Sequence, residues 1–234
     1  MADRRSAGRG LRPLLGEDLW QPLLGAGVPR HYRPREYLLH QGASGGSLLV
    51  IVEGRVTVVR TERNGSGLLV ALRGPGDVVG EIALKPDEVR TASVRALDTC
   101  VAHWVSAAAF ERFLERAGAH AAFTDYLMGK LAETIPYQVH TAHFPPYQRV
   151  ARLLLEIFSL AGHEIPDPSR IPLSQEAVGT ALGLSRGTIA KCIATLRSDG
   201  ALRAGPRLVV ADPAQLRRAA GIGRSSPGCD SIRM

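Results

Sequence analysis

The sequence predicts an α+β protein in which an antiparallel β roll is followed by a long helix and a small helical domain. Short apolar strands alternate with glycine turns between about residues 31 and 106, and the pattern then changes to helical periodicity. A proline-rich break at Phe144-Pro145-Pro146 precedes a further pair of short helices. With 234 residues, 45% of them hydrophobic, the chain can bury the core of one large or two modest domains.

Four glycines punctuate the predicted roll. Gly42, Gly54, Gly65 and Gly76 lie 12, 11 and 11 residues apart, a spacing typical of hairpins in a compact antiparallel roll or barrel. The predicted strands cover residues 47–53, 55–60, 68–72, 78–79 and a later stretch over 92–105.

Helical periodicity begins at Ala107, breaks near Gly118 and resumes in a long helix over about residues 121–141. The stripe along this helix consists of Leu127, Leu131, Thr134, Ile135 and Gln138. Such a stripe is typical of core packing, and the alternative interpretation is a dimer seam. Pro136 removes one backbone hydrogen bond, so we expect a kink or break near residues 132–135.

The C-terminal region has the pattern of a winged helix-turn-helix. A helix over 150–160 and a loop precede two short helices, 175–182 and 186–197, which Gly183-Leu184 separates. Ser185 is a natural N-cap of the second helix. Gly200 ends that helix, and residues 202–210 then predict a β-ribbon wing with Gly205-Pro206 at its tip.

The second short helix has two chemically different faces. Ile189, Cys192, Ile193 and Leu196 share one arc, whereas Arg186, Gly187, Ala190, Lys191 and Ala194 lie opposite. Basic and small side chains on one face suit entry into a major groove about 12 Å wide. The predicted DNA-binding residues are Gln175, Ser185, Arg186, Gly187, Thr188, Lys191, Arg203 and Arg207. We expect Arg186 and Lys191 to read bases. The predicted phosphate contacts come from Gln175, Thr188, Arg203 and Arg207, and the alternative for each charged residue is a solvated surface position.

Charge and cysteine content narrow the class of protein. The net charge of +7 is concentrated at the two ends of the chain. Residues 146–234 contain 12 Lys and Arg against 7 Asp and Glu, whereas residues 13–145 contain 13 Lys and Arg against 14 Asp and Glu. A basic C-terminal third favours a nucleic-acid partner over a membrane. Three dispersed cysteines fit neither a disulfide framework nor a zinc or iron-sulfur site. With no spanning segment or secretory signal, we expect a cytoplasmic protein.

A candidate anion-binding segment lies inside the β region. Gly80-Glu81-Ile82-Ala83-Leu84 is followed, after five residues, by Arg90-Thr91-Ala92. Backbone amides beside Gly80 and the guanidinium of Arg90 can enclose a phosphate, while Glu81 can accept from a sugar hydroxyl. This combination fits a nucleotide, and the alternative is a Glu81–Arg90 salt bridge on the wall of the roll.

Three segments together resemble the cyclic-AMP receptor protein (Crp/Fnr) family of bacterial transcription regulators over about residues 30–211. They are His40-Gln41-Gly42, the segment from Gly80-Glu81 to Arg90-Thr91-Ala92, and Leu184-Ser185-Arg186-Gly187-Thr188. The resemblance implies a helix plus cyclic-nucleotide-binding-type β-roll (11–106), helices that include a dimerisation helix (107–144) and a winged helix-turn-helix (145–220). Composition predicts a basic disordered arm (1–10) before them and a disordered tail (221–234) after them.

The resemblance also implies an effector and the residues that bind it. The effector residues are Gly80, Glu81, Ile82, Arg90, Thr91 and Thr134. Glu81 would bind the ribose 2′-hydroxyl, Arg90 and Thr91 the cyclic phosphate, and Thr134 would lie near the base. The implied effector is a cyclic nucleotide, cyclic AMP first, with no metal, haem or iron-sulfur cluster. Ile135 stands where the cyclic-AMP receptor has a hydroxyl residue on adenine, and Gly187 where it has a glutamate.

The sequence therefore predicts a homodimeric DNA-binding regulator, controlled allosterically by a cyclic nucleotide or another small anion in the roll. Its expected partners are double-stranded DNA with a palindromic operator, a second copy of the chain and RNA polymerase, without a membrane. The alternative is a constitutive regulator with a vestigial pocket. An enzyme is disfavoured because the sequence has no GxSxG, P-loop or HExxH motif.

Overall fold

The N-terminal half is a roll of two antiparallel sheets. This computed structural model describes residues 10–62, 67–162 and 164–222, and for residues 134–143 it describes the backbone alone. The strands are β1 (Val28–Tyr32), β2 (Tyr37–Leu39), β3 (Ser47–Glu53), β4 (Val56–Thr61), β5 (Gly67–Arg73), β6 (Val78–Val79), β7 (Ser93–Ala96) and β8 (Cys100–Ser106). They form two four-stranded sheets, in the orders β1-β8-β3-β6 and β2-β7-β4-β5. The predicted roll is thereby confirmed.

The path between the strands differs from the predicted succession of hairpins. β4 does pair with β5, but Gly42, Gly54 and Gly76 lie where the chain passes from one sheet to the other. A hairpin and a crossing both need a sharp turn, and Gly54 supplies one with a φ of 81°. Regular spacing of glycines therefore cannot distinguish a hairpin from a crossing between the two sheets. Gly65 lies outside the described residues, and the stretch 92–105 is two strands, β7 and β8.

The helices flank the roll and build the C-terminal domain. They are α1 (Arg12–Leu15), α2 (Glu17–Gly25), α3 (Ala107–Ala117), α4 (His120–His143), α5 (Pro146–Ser159), α6 (Gln175–Leu182), α7 (Arg186–Ser198) and α8 (Pro213–Ala219). Helix α3 ends, as predicted, at Gly118 with a left-handed φ of 60°. Of the kink or break predicted near residues 132–135, the break is wrong, because α4 continues through Pro136, and the kink stays a prediction. Proline removes only one of the hydrogen bonds of this 24-residue helix.

Two consecutive prolines separate α4 from the C-terminal domain. Pro145 precedes α5 and Pro146 is its first residue, so α5 begins earlier than the predicted residue 150. Proline suits this first position because its fixed φ is helical and its missing N–H has no partner there anyway. The predicted arm and tail, 1–10 and 221–234, lie outside the described residues except for Gly10, Gly221 and Ile222.

The roll and the C-terminal domain share one hydrophobic core. Leu69 and Leu72 of β5 are buried in the same cluster as Leu154 of α5 and Val178 of α6, and α6 packs directly against β5. The other face of the roll is closed by α1 to α4, which bury a separate cluster around Trp20. The helix-turn-helix is therefore packed on the roll rather than tethered to it.

Arg55 ties the two domains together at this junction. Its side chain is 1% exposed and forms a bidentate ion pair with Asp98, at 2.7 Å from Nε to Oδ2 and 3.0 Å from Nη2 to Oδ1. Nη1 donates to the carbonyl of Ile157 at the end of α5, at 2.8 Å, and Nη2 donates to that of Arg170 at 3.4 Å. These four hydrogen bonds offset much of the cost of burying the guanidinium, and because their acceptors come from both domains, the clamp requires both.

Replacement of Arg55 by Met should lower the free energy of unfolding by about 3 kcal/mol, because the carboxylate of Asp98 and the carbonyl of Ile157 lose their donor. Urea denaturation of the full chain measures the change. Arg60→Met is the matched control, since the Arg60–Glu62 pair is exposed and should contribute no more than about 1 kcal/mol. Equal losses in the two variants would contradict the assignment of Arg55 as a clamp.

Candidate functional site

A cavity of about 390 Å³ lies between the roll and α4. Its walls come from β4, β5 and β6, from the segments around Gly80 and Arg90, and from the α4 residues Leu127, Met128, Lys130 and Leu131. Five of the predicted effector residues, Gly80, Glu81, Ile82, Arg90 and Thr91, line this one cavity. The side chain of Thr134, the sixth, lies outside the described residues.

Gly80 and Arg90 are in direct contact and depend on each other. Gly80 has a φ of 90°, and a Cβ at this position would meet Nη1 of Arg90 at 2.7 Å, so the turn needs glycine. The Arg90 side chain donates from Nη1 to the carbonyl of Gly80, at 2.7 Å, and from Nη2 to Oγ of Ser47, at 2.9 Å. Burial lowers the pKa of Arg90, and the nearby charge of Glu81 opposes that shift. Both of these acceptors are neutral oxygens. Among the described residues, no carboxylate lies within ion-pair distance of this guanidinium.

Glu81 pairs with a residue that the sequence analysis did not select. It begins a short 3₁₀ helix (Glu81–Ala83), and its Oε1 lies 2.5 Å from Nζ of Lys130, which also donates to the carbonyl of Val78 at 2.9 Å. Burial lowers the pKa of Lys130, and the carboxylate of Glu81 opposes this. The alternative Glu81–Arg90 salt bridge is therefore not the pair that forms.

Two more residues at the cavity were not among the effector residues predicted from the sequence. Arg73, at the end of β5, lines the cavity, and Tyr126 accepts the backbone N–H of Val78 at 2.8 Å and donates to Asp77 at 3.1 Å. Burial raises the pKa of Tyr126, which keeps its hydroxyl protonated as a donor.

The sequence did contain a signal that could have identified Lys130. This residue lies three residues after Leu127 and four before Thr134, on the predicted stripe of the long helix.

The second candidate site is the pair of helices α6 and α7. Ser174 caps α6 by accepting the N–H of Ala177 at 3.1 Å, and Ser185 caps α7 by accepting that of Thr188 at 3.2 Å. Gly183 ends α6 with a left-handed φ of 62°, as the glycine turn predicts. The hydroxyls of Ser185 and Thr188 also share a hydrogen bond of 2.8 Å.

Helix α7 separates its two faces as its sequence predicts. The buried residues are Ile189, Cys192, Ile193 and Leu196, and the exposed ones include Arg186, Gly187, Ala190, Lys191 and Ala194. Because the small residues alternate with Arg186 and Lys191, no bulky side chain on this face holds the helix away from a groove. Gln175 is half-buried at the start of α6.

The wing is shorter than predicted. Single bridges join Leu202 to Val210 and Arg170 to Val209 instead of a regular two-stranded ladder. Pro206 lacks an N–H to donate near the tip, which limits the ladder there. Arg203 and Arg207 are both exposed, and Arg207 lines a cleft of about 780 Å³ between the roll and the C-terminal domain.

Other site types find no support in the described part of the chain. No group of three or more His, Cys, Asp or Glu side chains there is arranged to hold a metal ion. No helix within the same residues is both long enough and apolar enough to cross a membrane. Cys100 and Cys192 are buried, and burial raises the pKa of the Cys100 thiol to about 12.

Two family models match the chain. Residues 29–117 match the cyclic nucleotide-binding domain, and residues 148–219 match the Crp-like helix-turn-helix domain. The first match contains the cavity segments, and the second contains both α6 and α7.

Individual relatives and solved structures are similar to most of the chain. The cAMP-activated global transcriptional regulator CRP of Salmonella typhimurium is 24% identical over 182 residues, which cover 76% of this chain and 87% of the relative. The cAMP-activated global transcriptional regulator Vfr of Pseudomonas aeruginosa is 25% identical over 178 residues, with coverages of 73% and 83%. The structure of the c-di-GMP-responsive global regulator CLP of Xanthomonas campestris has the same fold, with a TM-score of 0.67, 20% identity, and coverages of 84% and 100%.

Loss of Lys130 should expose the dependence of the cavity on its ion pair. Lys130→Met leaves the carboxylate of Glu81, only 6% exposed, without its cation, so we expect a loss of about 3–5 kcal/mol in the free energy of unfolding. The Glu81→Gln, Lys130→Met double variant removes both charges and should lose less than Lys130→Met alone.

Urea denaturation measures both variants of this pair. Lys85→Met is the control, because Lys85 is exposed and its replacement should change stability by no more than about 0.5 kcal/mol. A double variant that is less stable than Lys130→Met would show that the pair is not the cause of the loss.

Proposed function

Since the chain belongs to the Crp/Fnr family of bacterial transcription regulators, we propose that it is a homodimeric, sequence-specific DNA-binding regulator controlled by a cyclic nucleotide. The family consists of transcription regulators rather than enzymes. We further propose that it acts in the cytoplasm on a palindromic operator, together with RNA polymerase. Cyclic AMP is the nucleotide that the family resemblance implies.

The observation that carries the proposed effector site is the cavity shared by the roll and α4. Arg90, 5% exposed, has no carboxylate partner within ion-pair distance in the described residues and suits an anionic phosphate beside the Gly80 turn. Glu81 suits a ribose hydroxyl because a carboxylate accepts hydrogen bonds. Thr91 lines the cavity beside Arg90 and can add a hydroxyl donor.

A bound nucleotide would act on the pairing between the roll and α4. Lys130 now joins Glu81 and Val78 of the roll to the long helix. A sugar hydroxyl bound by Glu81 would compete with Lys130 for that carboxylate, so ligand binding favours a different packing of α4 against the roll. Differential contacts of this kind are what an allosteric effector requires.

An apolar patch on α4 supports the proposed dimer. Met128 and Leu131 are 57% and 55% exposed, and Ile82, 69% exposed, lies beside them at the mouth of the cavity. A second copy packed on α4 would cover this patch. It would also set the separation of the two α7 helices, which must be about 34 Å to meet successive major grooves.

One observation favours the alternative of a constitutive regulator. Glu81 and Arg90 both have protein partners already, namely Lys130 for the first and Gly80 and Ser47 for the second. Thermal unfolding with cyclic nucleotide separates the two functions, because a ligand at 100 times its Kd stabilises the folded protein by about 2.7 kcal/mol. An unchanged Tm with both cyclic AMP and cyclic GMP would favour the constitutive regulator.

Arg90→Ala should weaken cyclic-nucleotide binding by at least about thirtyfold, because the phosphate loses its buried charged donor. Isothermal titration calorimetry with cyclic AMP and cyclic GMP measures the effect. The same variant should keep its nucleotide-free affinity for DNA, which serves as the internal control. Nucleotide binding that survives the substitution unchanged would place the effector elsewhere.

Lys191→Ala should weaken DNA binding by about 1–3 kcal/mol, since an exposed donor on α7 is lost, and should leave nucleotide binding unchanged. Fluorescence anisotropy with a duplex selected from random-sequence DNA measures this. Arg218→Ala removes the same charge from the exposed end of α8 and is the matched control. Equal losses in both variants would mean that α7 does not read the operator.

A further inference from the structure

Arg73 and Glu133 form a second ionic contact between the roll and α4. The side chain of Arg73 is 5% exposed, and its Nη1 lies 3.3 Å from Oε2 of Glu133 and 2.9 Å from the carbonyl of Leu72. Its buried Nε has no hydrogen-bond partner in the described part of the chain. An arginine that lines a ligand cavity with an unused buried donor can take a further acceptor.

The place of this pair along α4 relates it to the proposed nucleotide. Glu133 follows Lys130 by three residues, so the two lie on neighbouring turns of the same side of the helix. Lys130 contacts Glu81, the residue proposed to bind the ribose. The Arg73–Glu133 pair therefore lies one turn further along α4, toward Thr134, where the family resemblance places the base.

The two side chains have opposite hydrogen-bonding character. Arginine only donates hydrogen bonds and an ionised glutamate only accepts them. Guanine presents the acceptors O6 and N7 beside the donors N1–H and N2 amino, whereas adenine presents an N6 amino donor at the position of O6. Arg73 can thus bind O6, and N7 with it, while Glu133 accepts from N1–H and the amino group. Adenine would place its N6 amino donor opposite Arg73, which only donates, and its N1 lone pair opposite Glu133, which only accepts. Neither hydrogen bond could form.

We propose that Arg73 and Glu133 determine the base specificity of the cavity and select a purine with an oxygen at C6, so that cyclic GMP binds more tightly than cyclic AMP. This inference rests on the proposed cyclic-nucleotide site. It departs from the adenine nucleotide that the family resemblance implies, in the same region where Ile135 replaces a hydroxyl residue.

Calorimetric titrations of the full chain with cyclic GMP and cyclic AMP test the proposal. The wild type should bind cyclic GMP about tenfold or more tightly, the discrimination expected of a bidentate arginine contact. Arg73→Met should bring the ratio of the two Kd values close to one, and Glu133→Gln should lower it, while binding persists through Arg90. Arg12→Met, which breaks an exposed Arg–Glu pair outside the residues that line the cavity, should leave the ratio unchanged.

A third nucleotide separates recognition of the C6 oxygen and N1–H from recognition of the 2-amino group. Cyclic inosine monophosphate keeps the C6 oxygen and N1–H but lacks the 2-amino group, so it should bind more tightly than cyclic AMP. Binding as weak as that of cyclic AMP would show that the C6 oxygen is not recognised.

The remaining outcomes are distinct. Equal affinities, or a preference of the wild type for cyclic AMP, would refute the proposed specificity and leave the effector site intact. A ratio that the substitutions do not change would make the Arg73–Glu133 pair purely structural. Binding of neither nucleotide would refute the effector site itself, and the specificity with it. If Arg73→Met fails to fold, Glu133→Gln decides, because Glu133 is 48% exposed and its replacement conserves shape.

Discussion

The burial of Arg55 between the roll and the C-terminal domain is the constraint on which the arrangement of the two domains depends. Removing a guanidinium from water is costly, and hydrogen bonds and ion pairs to its buried donors offset that cost. Asp98 supplies two acceptors from the roll, but the carbonyls of Ile157 and Arg170 belong to the C-terminal domain. Neither domain alone can satisfy this side chain. The relative position of the roll and the helix-turn-helix is thereby fixed by electrostatics as well as by shared apolar surface.

Strand β5 gives this rigid junction a functional consequence. Val70, Ala71 and Arg73 face the cavity, while Leu69 and Leu72 are buried in the core of the C-terminal domain. One strand thus separates the proposed effector from the helices proposed to bind DNA. A shift of β5 on ligand binding would reach α6 directly, because close-packed side chains transmit displacement rather than absorb it. Coupling within one protomer would then add to the coupling that we propose for α4 between two protomers.

The sequence predicted local features well and long-range charge pairs poorly. The faces of α7, the Gly183 turn and the Ser185 cap follow from helical periodicity and capping chemistry, which act over a few residues. Lys130 lies 49 residues from Glu81, and Arg73 lies 60 residues from Glu133. No periodic pattern spans such distances, so these pairings depend on how the strands cross between the two sheets. The glycine spacing marked the turns but gave no information about which sheet each strand joins.

The charges around the cavity define the kind of anion it can accommodate. Among the described residues, Arg73, Arg90 and Lys130 line it, and the carboxylates of Glu81 and Glu133 pair with two of them, which leaves one positive charge in excess. In a partly buried site an uncompensated charge is unfavourable, so a ligand with a single negative charge gives the best balance. A cyclic phosphodiester carries one negative charge, whereas an open phosphomonoester carries about 1.5 to 2 at neutral pH. Charge balance thus favours a cyclic over a linear nucleotide, independently of which base it carries.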